Sequence, residues 1–261
     1  MANADCIIIQ GSNMAECHPV GFQWVTEAKA RGARVIHVDP RFTRTTAVAD
    51  KHVPIRTGSD IVLLGALIKY VLDNDLWFKE YVTAFTNVAT VINKDYVDAE
   101  DNDGVFSGFD PETGQYDLLS WSYATPDDNG KVTSPHGEED SGKEQKETAG
   151  GHEHGAGGPP LNSWHTKQDP TLQHPRSVFQ ILKRHFSRYT PEMVTEVCGI
   201  SREDFEYLAK SITENSGRER TTCFAYAVGW TQHSHGAQYI RTAAILQLLL
   251  GNIGRPGGGI M

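Results

Sequence analysis

Residues 6–22 read CIIIQGSNMAECHPVGF. The apolar run Cys6-Ile7-Ile8-Ile9 reads as a buried strand. Gly11, Ser12 and Asn13 break it, and Pro19 suits the first turn of a helix that Gly32 stops just after Arg31. A strand that ends in a Gly-containing turn before a helix places backbone N–H groups and the positive helix end where a phosphate can sit. Neither Gly-x-Gly-x-x-Gly nor the Walker sequence is present. The spacing therefore leaves two readings open, a phosphate-holding loop and an ordinary strand-to-helix turn in which Glu16 and His18 are solvated.

The same rhythm continues outward. Val35-Ile36-His37-Val38 is a second β-rich run and Val53-Pro54-Ile55-Arg56 a short third. Ser59 or Asp60 caps a helix whose apolar face runs through Ile61, Leu64, Leu67 or Ile68, and Val71. Beyond Pro175, helices are expected at about 176–188, after Pro191, and near 202–211, before a strand at 222–228. The loop GWTQHSHG, residues 229–236, then leads into a helix with Ala237, Ile240, Ala244 and Leu248 on one face. Strand and helix signals alternate, which predicts an α/β fold: a doubly wound, mostly parallel, Rossmann-like sheet flanked by helices. Residues 1–100 are its first half, and 176–261 supply helices and the second half of the same domain. Residues 101–175 break the rhythm and read as a long insertion, disordered at about 126–170, where apolar content is too low to offset the entropy of ordering. Within it His152, Glu153 and His154 cluster, but His-x-His without a distant fixed ligand makes a weak metal site, and a solvated loop is the preferred reading.

Composition bounds the partners. The 33 acidic residues against 24 basic ones give a formal charge of −9, which disfavours nucleic acid and anionic membrane surfaces, since both require a cationic face. No apolar stretch approaches the roughly 20 residues that cross a bilayer. Cys6, Cys17, Cys198 and Cys223 are scattered without a Cys-x-x-Cys pair, so they build neither a zinc ribbon nor an iron-sulfur ligand set locally. No metal ligands are assigned.

Four loops carry the candidate chemistry. Asp39, which ends the second strand 28 positions after Gly11, stands where an acidic residue accepts hydrogen bonds from a ribose in doubly wound sheets. Arg41 and Arg44 offer paired N–H donors to phosphate, or surface ion pairs. Asp60, in RTGSD at 56–60, is an acceptor-only carboxylate suited to two N–H groups of a guanine edge, or to helix capping. Gln232, His233 and His235 are available to a polar ligand. No Ser-His-Asp set or carboxylate pair is suggested by spacing, so no catalytic residue is assigned.

In this order, GSNMAECHPVGFQW, VIHVDPRFTRTTAVADKHVPIRTGSD, FSGFDPETGQYD, HPRSVFQILKRHFSRYTPEMV and GWTQHSHGAQYIRTAAILQLLLGNIGRPGGG closely resemble the large subunit of molybdopterin-dependent formate dehydrogenases, especially the respiratory type. The resemblance spans the chain except about 126–170. It implies two molybdopterin guanine dinucleotides around one molybdenum or tungsten atom, and oxidation of formate to CO2. It implies Gly11, Ser12, Asn13, Glu16 and His18 along one cofactor arm, Asp39, Pro40 and Arg41 at its nucleoside, and Gly58 and Asp60 at its guanine end. Gly229, Trp230, Gln232 and Gly236 would close over the pterin side. The family's 4Fe-4S motif and metal-bound selenocysteine or cysteine are expected upstream of Met1, and its active-site arginine beyond Met261. The chain then reads as an internal fragment, inactive alone, with Met1 displaced from the true start by a selenocysteine codon misread as a stop. Implied partners are an iron-sulfur electron-transfer subunit and a membrane cytochrome subunit. An extracytoplasmic, membrane-associated location is favoured over a cytoplasmic one. Alternatives are another molybdopterin oxidoreductase such as nitrate reductase, against which FSGFDPETGQYD argues, a free-standing NAD-binding module, and a His-rich metal buffer.

Overall fold

The computed structural model describes residues 1–124 and 166–261. The expectations for His152, Glu153, His154 and most of the stretch 126–170 lie outside the described residues. In chain order the regular elements are β1 (Cys6–Gln10), α1 (Met14–Cys17), α2 (Pro19–Ala30), β2 (Arg34–Val38), α3 (Arg44–Val48), β3 (Lys51–Val53), α4 (Asp60–Asp73) and α5 (Lys79–Phe85). There follow β4 (Phe109–Asp110), β5 (Gln115–Tyr116), α6 (Val178–Phe186), α7 (Pro191–Met193), α8 (Arg202–Glu214), β6 (Thr222–Tyr226), α9 (Val228–Thr231), α10 (Gly236–Leu249) and β7 (Gly259–Ile260). The chain forms two compact units, Met1–Thr86 with Lys183–Met261, and Asn87–Leu182.

The first unit is built on a five-stranded sheet in the order β3-β2-β1-β6-β7, parallel throughout. All five residues of β1 are buried, as a central parallel strand covered on both faces requires. Alternation divides the sheet into two layers. Ile7, Ile9, Val35, Cys223 and Ala225 face one way and pack with Phe22, Val25 and Ala28 of α2. The opposite parity carries Ile8, Ile36 and Phe224, with Arg34 donating to Ser211 of α8 and Gln10 to Asp60 of α4. The α/β, doubly wound reading therefore holds.

Two local expectations are corrected. The third strand is Lys51–Val53, not 53–56, because Pro54 has no N–H to extend the ladder. In α10 the face with Ala237, Ile240, Ala244 and Leu248 is not the most buried one: Ala237 is exposed and Ile240, Ala244 and Leu248 are half-buried, whereas Tyr239, Ala243, Leu246 and Gln247 are buried. The reason is Gln247. Its Nε2 donates to Thr222 O at 2.8 Å and Gly259 O at 2.6 Å, while Asn252 Nδ2 donates to its Oε1 at 2.7 Å. A polar residue thus lies on the inward face because it bonds strand backbone, which an apolarity count does not see.

The second unit is held by single antiparallel bridges, Thr90 to Gln168, Val91 to Ser177 and Ile92 to Tyr123. Arg176 donates to the carbonyls of Asn93 and Tyr96. Its β4–β5 pair is an antiparallel hairpin.

The Gln247 arrangement yields a stability prediction. Gln247→Leu deletes donors to two buried carbonyls and should cost about 1–3 kcal/mol. Urea denaturation of both proteins measures it. A change below about 0.5 kcal/mol, within the range of ordinary surface substitutions, would show that these bonds do not hold α10 to β6 and β7.

Candidate functional site

The carboxyl ends of β1 and β6 lie side by side, and their backbones touch. Gly11 leaves β1 with φ +67°, in the left-handed region. Gly229 donates its N–H to Gly11 O at 3.0 Å. A Cβ on Gly229 would lie 2.5 Å from Gly11 O and 2.6 Å from Gly11 Cα, so no side chain fits. Gly236 closes the same loop: a Cβ there would lie 2.3 Å from Trp230 O. Sheet order places β2 and β3 on one side of β1 and β6 and β7 on the other. The crossing is thus a topological switch point, where open α/β sheets bind ligands.

On the α4 side, Gln10, Asp60 and Trp230 are all buried. Asp60 Oδ1 accepts from Gln10 Nε2 at 2.8 Å and from Trp230 Nε1 at 3.1 Å. The carboxylate sits in the first turn of α4, where the helix dipole favours it. Tyr226 stacks on Trp230 with ring centroids 5.1 Å apart, and Tyr239 donates to Gly58 O at 3.1 Å. One carboxylate thereby ties the end of β1, the start of α4 and the loop after β6. Gln10 Oε1 is buried without a hydrogen-bond partner.

On the α2 side the hub is His37, which is fully buried. Its Nε2 is 3.2 Å from Ser12 O and its Nδ1 is 2.7 Å from Thr46 Oγ1. A carbonyl can only accept, so Nε2 carries the proton and Nδ1 accepts from the Thr46 hydroxyl. Thr46 Oγ1 in turn accepts from Thr43 N–H. Burial pushes the His37 pKa below the ordinary 6.5, against the upward pull of Asp39 and the Ser12 bond. His52 stacks on His37 at 6.0 Å and donates to Asp39 O at 2.8 Å. Asp39 Oδ1 accepts from Arg41 N–H at 2.9 Å, while Oδ2 is 3.8 Å from His37 Nε2.

Asn13 is anchored between loops: Thr45 donates to its Oδ1 at 3.0 Å, and its Nδ2 donates to Glu16. Arg44 pairs with Glu16 at 3.2 Å, the ion-pair option of its two readings. The structure therefore links Gly11, Ser12, Asn13, Glu16 and Asp39 into one cluster, and Asp60, Gly229, Trp230 and Gly236 into another, joined at Gly11. His18, Pro40, Arg41, Gly58 and Gln232 stand exposed around them, and Gly58 has φ +87° with nothing within 4 Å of where a Cβ would lie. Sequence reasoning missed Gln10, His37, Thr45, Thr46, Tyr226 and Tyr239. A polar His inside the apolar run VIHV was the available signal for one of them.

Among the described residues, no group of three or more His, Cys, Asp and Glu is placed to hold a metal. The buried thiols are inert, since burial pushes Cys6 up to about 12 and Cys223 to about 11.

The lowered His37 pKa has a sign. The unfolded chain binds the extra proton first as pH falls through about 6.5, so the buried neutral imidazole stabilises fully above that pH and progressively less below it. Urea midpoints of the parent chain should therefore decline between about pH 7.5 and 5.5 more steeply than those of His37→Gln. Parallel declines would remove His37 from this role.

Residues 1–261 match the molybdopterin oxidoreductase family throughout. The chain is 43% identical over 259 residues to the formate dehydrogenase-O major subunit of Escherichia coli (strain K12), covering 99% of this chain and 22% of that protein. It is 40% identical over 258 residues to formate dehydrogenase 2 subunit alpha (cytochrome c-553) of Nitratidesulfovibrio vulgaris, again 99% of this chain and 22% of the relative. The chain thus spans about a fifth of the length of these relatives. Acetylene hydratase from Pelobacter acetylenicus aligns at TM-score 0.53 and 16% identity, over 96% of this chain and 22% of that one, a likeness of fold. The parallel sheet, the loops gathered at its switch point and the full-length family match agree, and the chain belongs to the molybdopterin oxidoreductase family.

Proposed function

We propose that this chain is the cofactor-gripping part of a formate dehydrogenase catalytic subunit, and that its strand-end loops hold a molybdopterin guanine dinucleotide. The observation that carries the reading is 43% identity to a formate dehydrogenase major subunit, spread over 99% of the chain.

The residues present fit such a group. A guanine dinucleotide needs acceptors for its base and ribose donors, and room for backbone to approach its phosphates. One end of this sheet offers the Asp39 and Asp60 carboxylates, the exposed Arg41 guanidinium, open space over Gly58 and the unpartnered Gln10 Oε1. In this reading Asp39 keeps Oδ2 toward the ribose while Oδ1 fixes its own turn. Gly11, Ser12 and Asn13 line one arm with Glu16 and His18, and Pro40 and Arg41 flank the nucleoside. Gly58 admits the guanine end beside Asp60, whose Oδ1 already holds Gln10 and Trp230. Gly229, Gln232 and Gly236 cover the pterin side around the rigid Trp230 ring. When bound, the molybdenum or tungsten centre of two such dinucleotides supplies the two-electron oxidation of formate to CO2. The chain's own contribution is positional, and the reading assigns it no catalytic residue. The 4Fe-4S cluster, an iron-sulfur electron-transfer subunit, a membrane cytochrome subunit and an extracytoplasmic location belong to the same proposal and rest on the resemblance.

The test uses the complete gene product, purified without oxygen. It should carry molybdenum or tungsten with pterin and reduce a viologen dye with formate. Gly229→Ala, which forces the β1 and β6 loops apart, should lower pterin content at least about tenfold while circular dichroism is kept, since overpacking displaces backbone. A product that holds neither metal nor pterin, or that binds NAD instead, would overturn the assignment. Undiminished pterin in Gly229→Ala would detach the crossing from cofactor binding.

A further inference from the structure

We infer that His37 is a positioning residue for the bound dinucleotide: the hydrogen on its Nε2 fixes the Ser12 peptide, and the Thr46 hydroxyl fixes that hydrogen on Nε2. This rests on the proposed function and deepens it, since none of the residues assigned there accounts for a histidine beneath the loop.

His37 pairs with Ile9 on the α2 face of the sheet, where an apolar side chain would join the core. An imidazole there gives up water and needs partners for its polar atoms. The ring is fully buried with both nitrogens engaged, so it acts through its neighbours and touches no ligand itself. A neutral imidazole can carry its hydrogen on either nitrogen. The surroundings choose. Thr46 Oγ1 already accepts from Thr43 N–H at 2.9 Å, so its own hydrogen goes to Nδ1, 2.7 Å away. Nε2 then holds the ring hydrogen and donates to Ser12 O at 3.2 Å. The opposite tautomer would set an Nε2 lone pair against that carbonyl and turn a second N–H onto Thr46 Oγ1.

The consequence falls on the next peptide. In a trans peptide the C=O and N–H bonds point in opposite directions, and the described residues contain no cis bond. With Ser12 O drawn inward to the ring, Asn13 N–H is turned outward, to the side where the dinucleotide is proposed to lie. Thr45 holds the same segment one residue on, donating to Asn13 Oδ1 at 3.0 Å and accepting from Ala15 N–H at 2.9 Å. Thus α3 aims the loop after β1 twice, through Thr45 directly and through Thr46 by way of His37. The Nε2 hydrogen also faces Asp39 Oδ2 at 3.8 Å, the oxygen not bonded to Arg41 N–H.

Two amides separate the two nitrogens. In His37→Gln the amide reaches the Nε2 position and can donate to Ser12 O; in His37→Asn it reaches only the Nδ1 position and serves Thr46 alone. The complete gene product and its variants, made in pterin-synthesising cells and purified without oxygen, are compared by pterin and metal per chain. His37→Gln should stay within about twofold of the parent, and His37→Asn should fall at least about fivefold, the scale of one hydrogen bond, both with unchanged circular dichroism. A ring that only fills space predicts equal pterin in the two variants, and that result overturns the inference. Thr46→Val decides the matter independently, including where His37→Asn fails to fold. It should lower pterin about threefold in the parent, where the ring hydrogen is then free to move, and less than about 1.5-fold in His37→Gln, whose amide hydrogens cannot move. Equal losses in the two backgrounds overturn the inference. A parent without pterin fails the proposed function; a loaded parent with contrary variants fails this inference alone.

Discussion

Two glycine backbones in contact at the carboxyl ends of β1 and β6 set the geometry on which the rest of the site depends. With Gly229 N–H on Gly11 O at 3.0 Å, the loops leaving two neighbouring strands cannot diverge. Each then passes to an opposite face of the sheet, and the side chains that follow are committed to different hubs. Gln10, one residue before the crossing, reaches Asp60 on the α4 side. Ser12, one residue after it, accepts from His37 on the α2 side.

The two hubs solve the same electrostatic problem differently. Burying a carboxylate is costly unless donors meet it, and Asp60 has two, with a helix N-terminus behind it. Burying an imidazole is cheapest when it is neutral, and His37 is held neutral with each ring nitrogen matched to a partner of the right kind. Both place a polar atom set under the loops without leaving a net cation there. The exposed residues around them, His18, Arg41, Gly58 and Gln232, have no such obligations and are free to meet a ligand in the proposed reading.

Much of this was legible in the residues. The runs CIIIQ, RVIHV and TCFAY are mostly apolar or β-branched, the mark of parallel strands covered on both faces, and Pro19 signals the start of α2. What could not be read is instructive. The β3 boundary depends on which backbone N–H groups Pro54 withholds from the ladder. The α10 stripe depends on Gln247, whose burial is explained only by the strand carbonyls it bonds. Asp60 was legible as an acceptor, but not the identity of its donors, since Gln10 and Trp230 lie 50 and 170 positions away. Long-range pairs of this kind arise from topology, which local pattern does not encode.

The central claim is that one end of the sheet is a preassembled grip for a dinucleotide. Its most direct measurement is amide hydrogen exchange on the complete protein, made in cells able and unable to synthesise the pterin cofactor. The account predicts slowing of at least about tenfold in the loaded form at residues 10–16, 39–41, 58–60 and 229–236, with little change around Asn252 at the other end. Equal exchange at those four loops in both forms, or protection confined to the opposite end of the sheet, would contradict it.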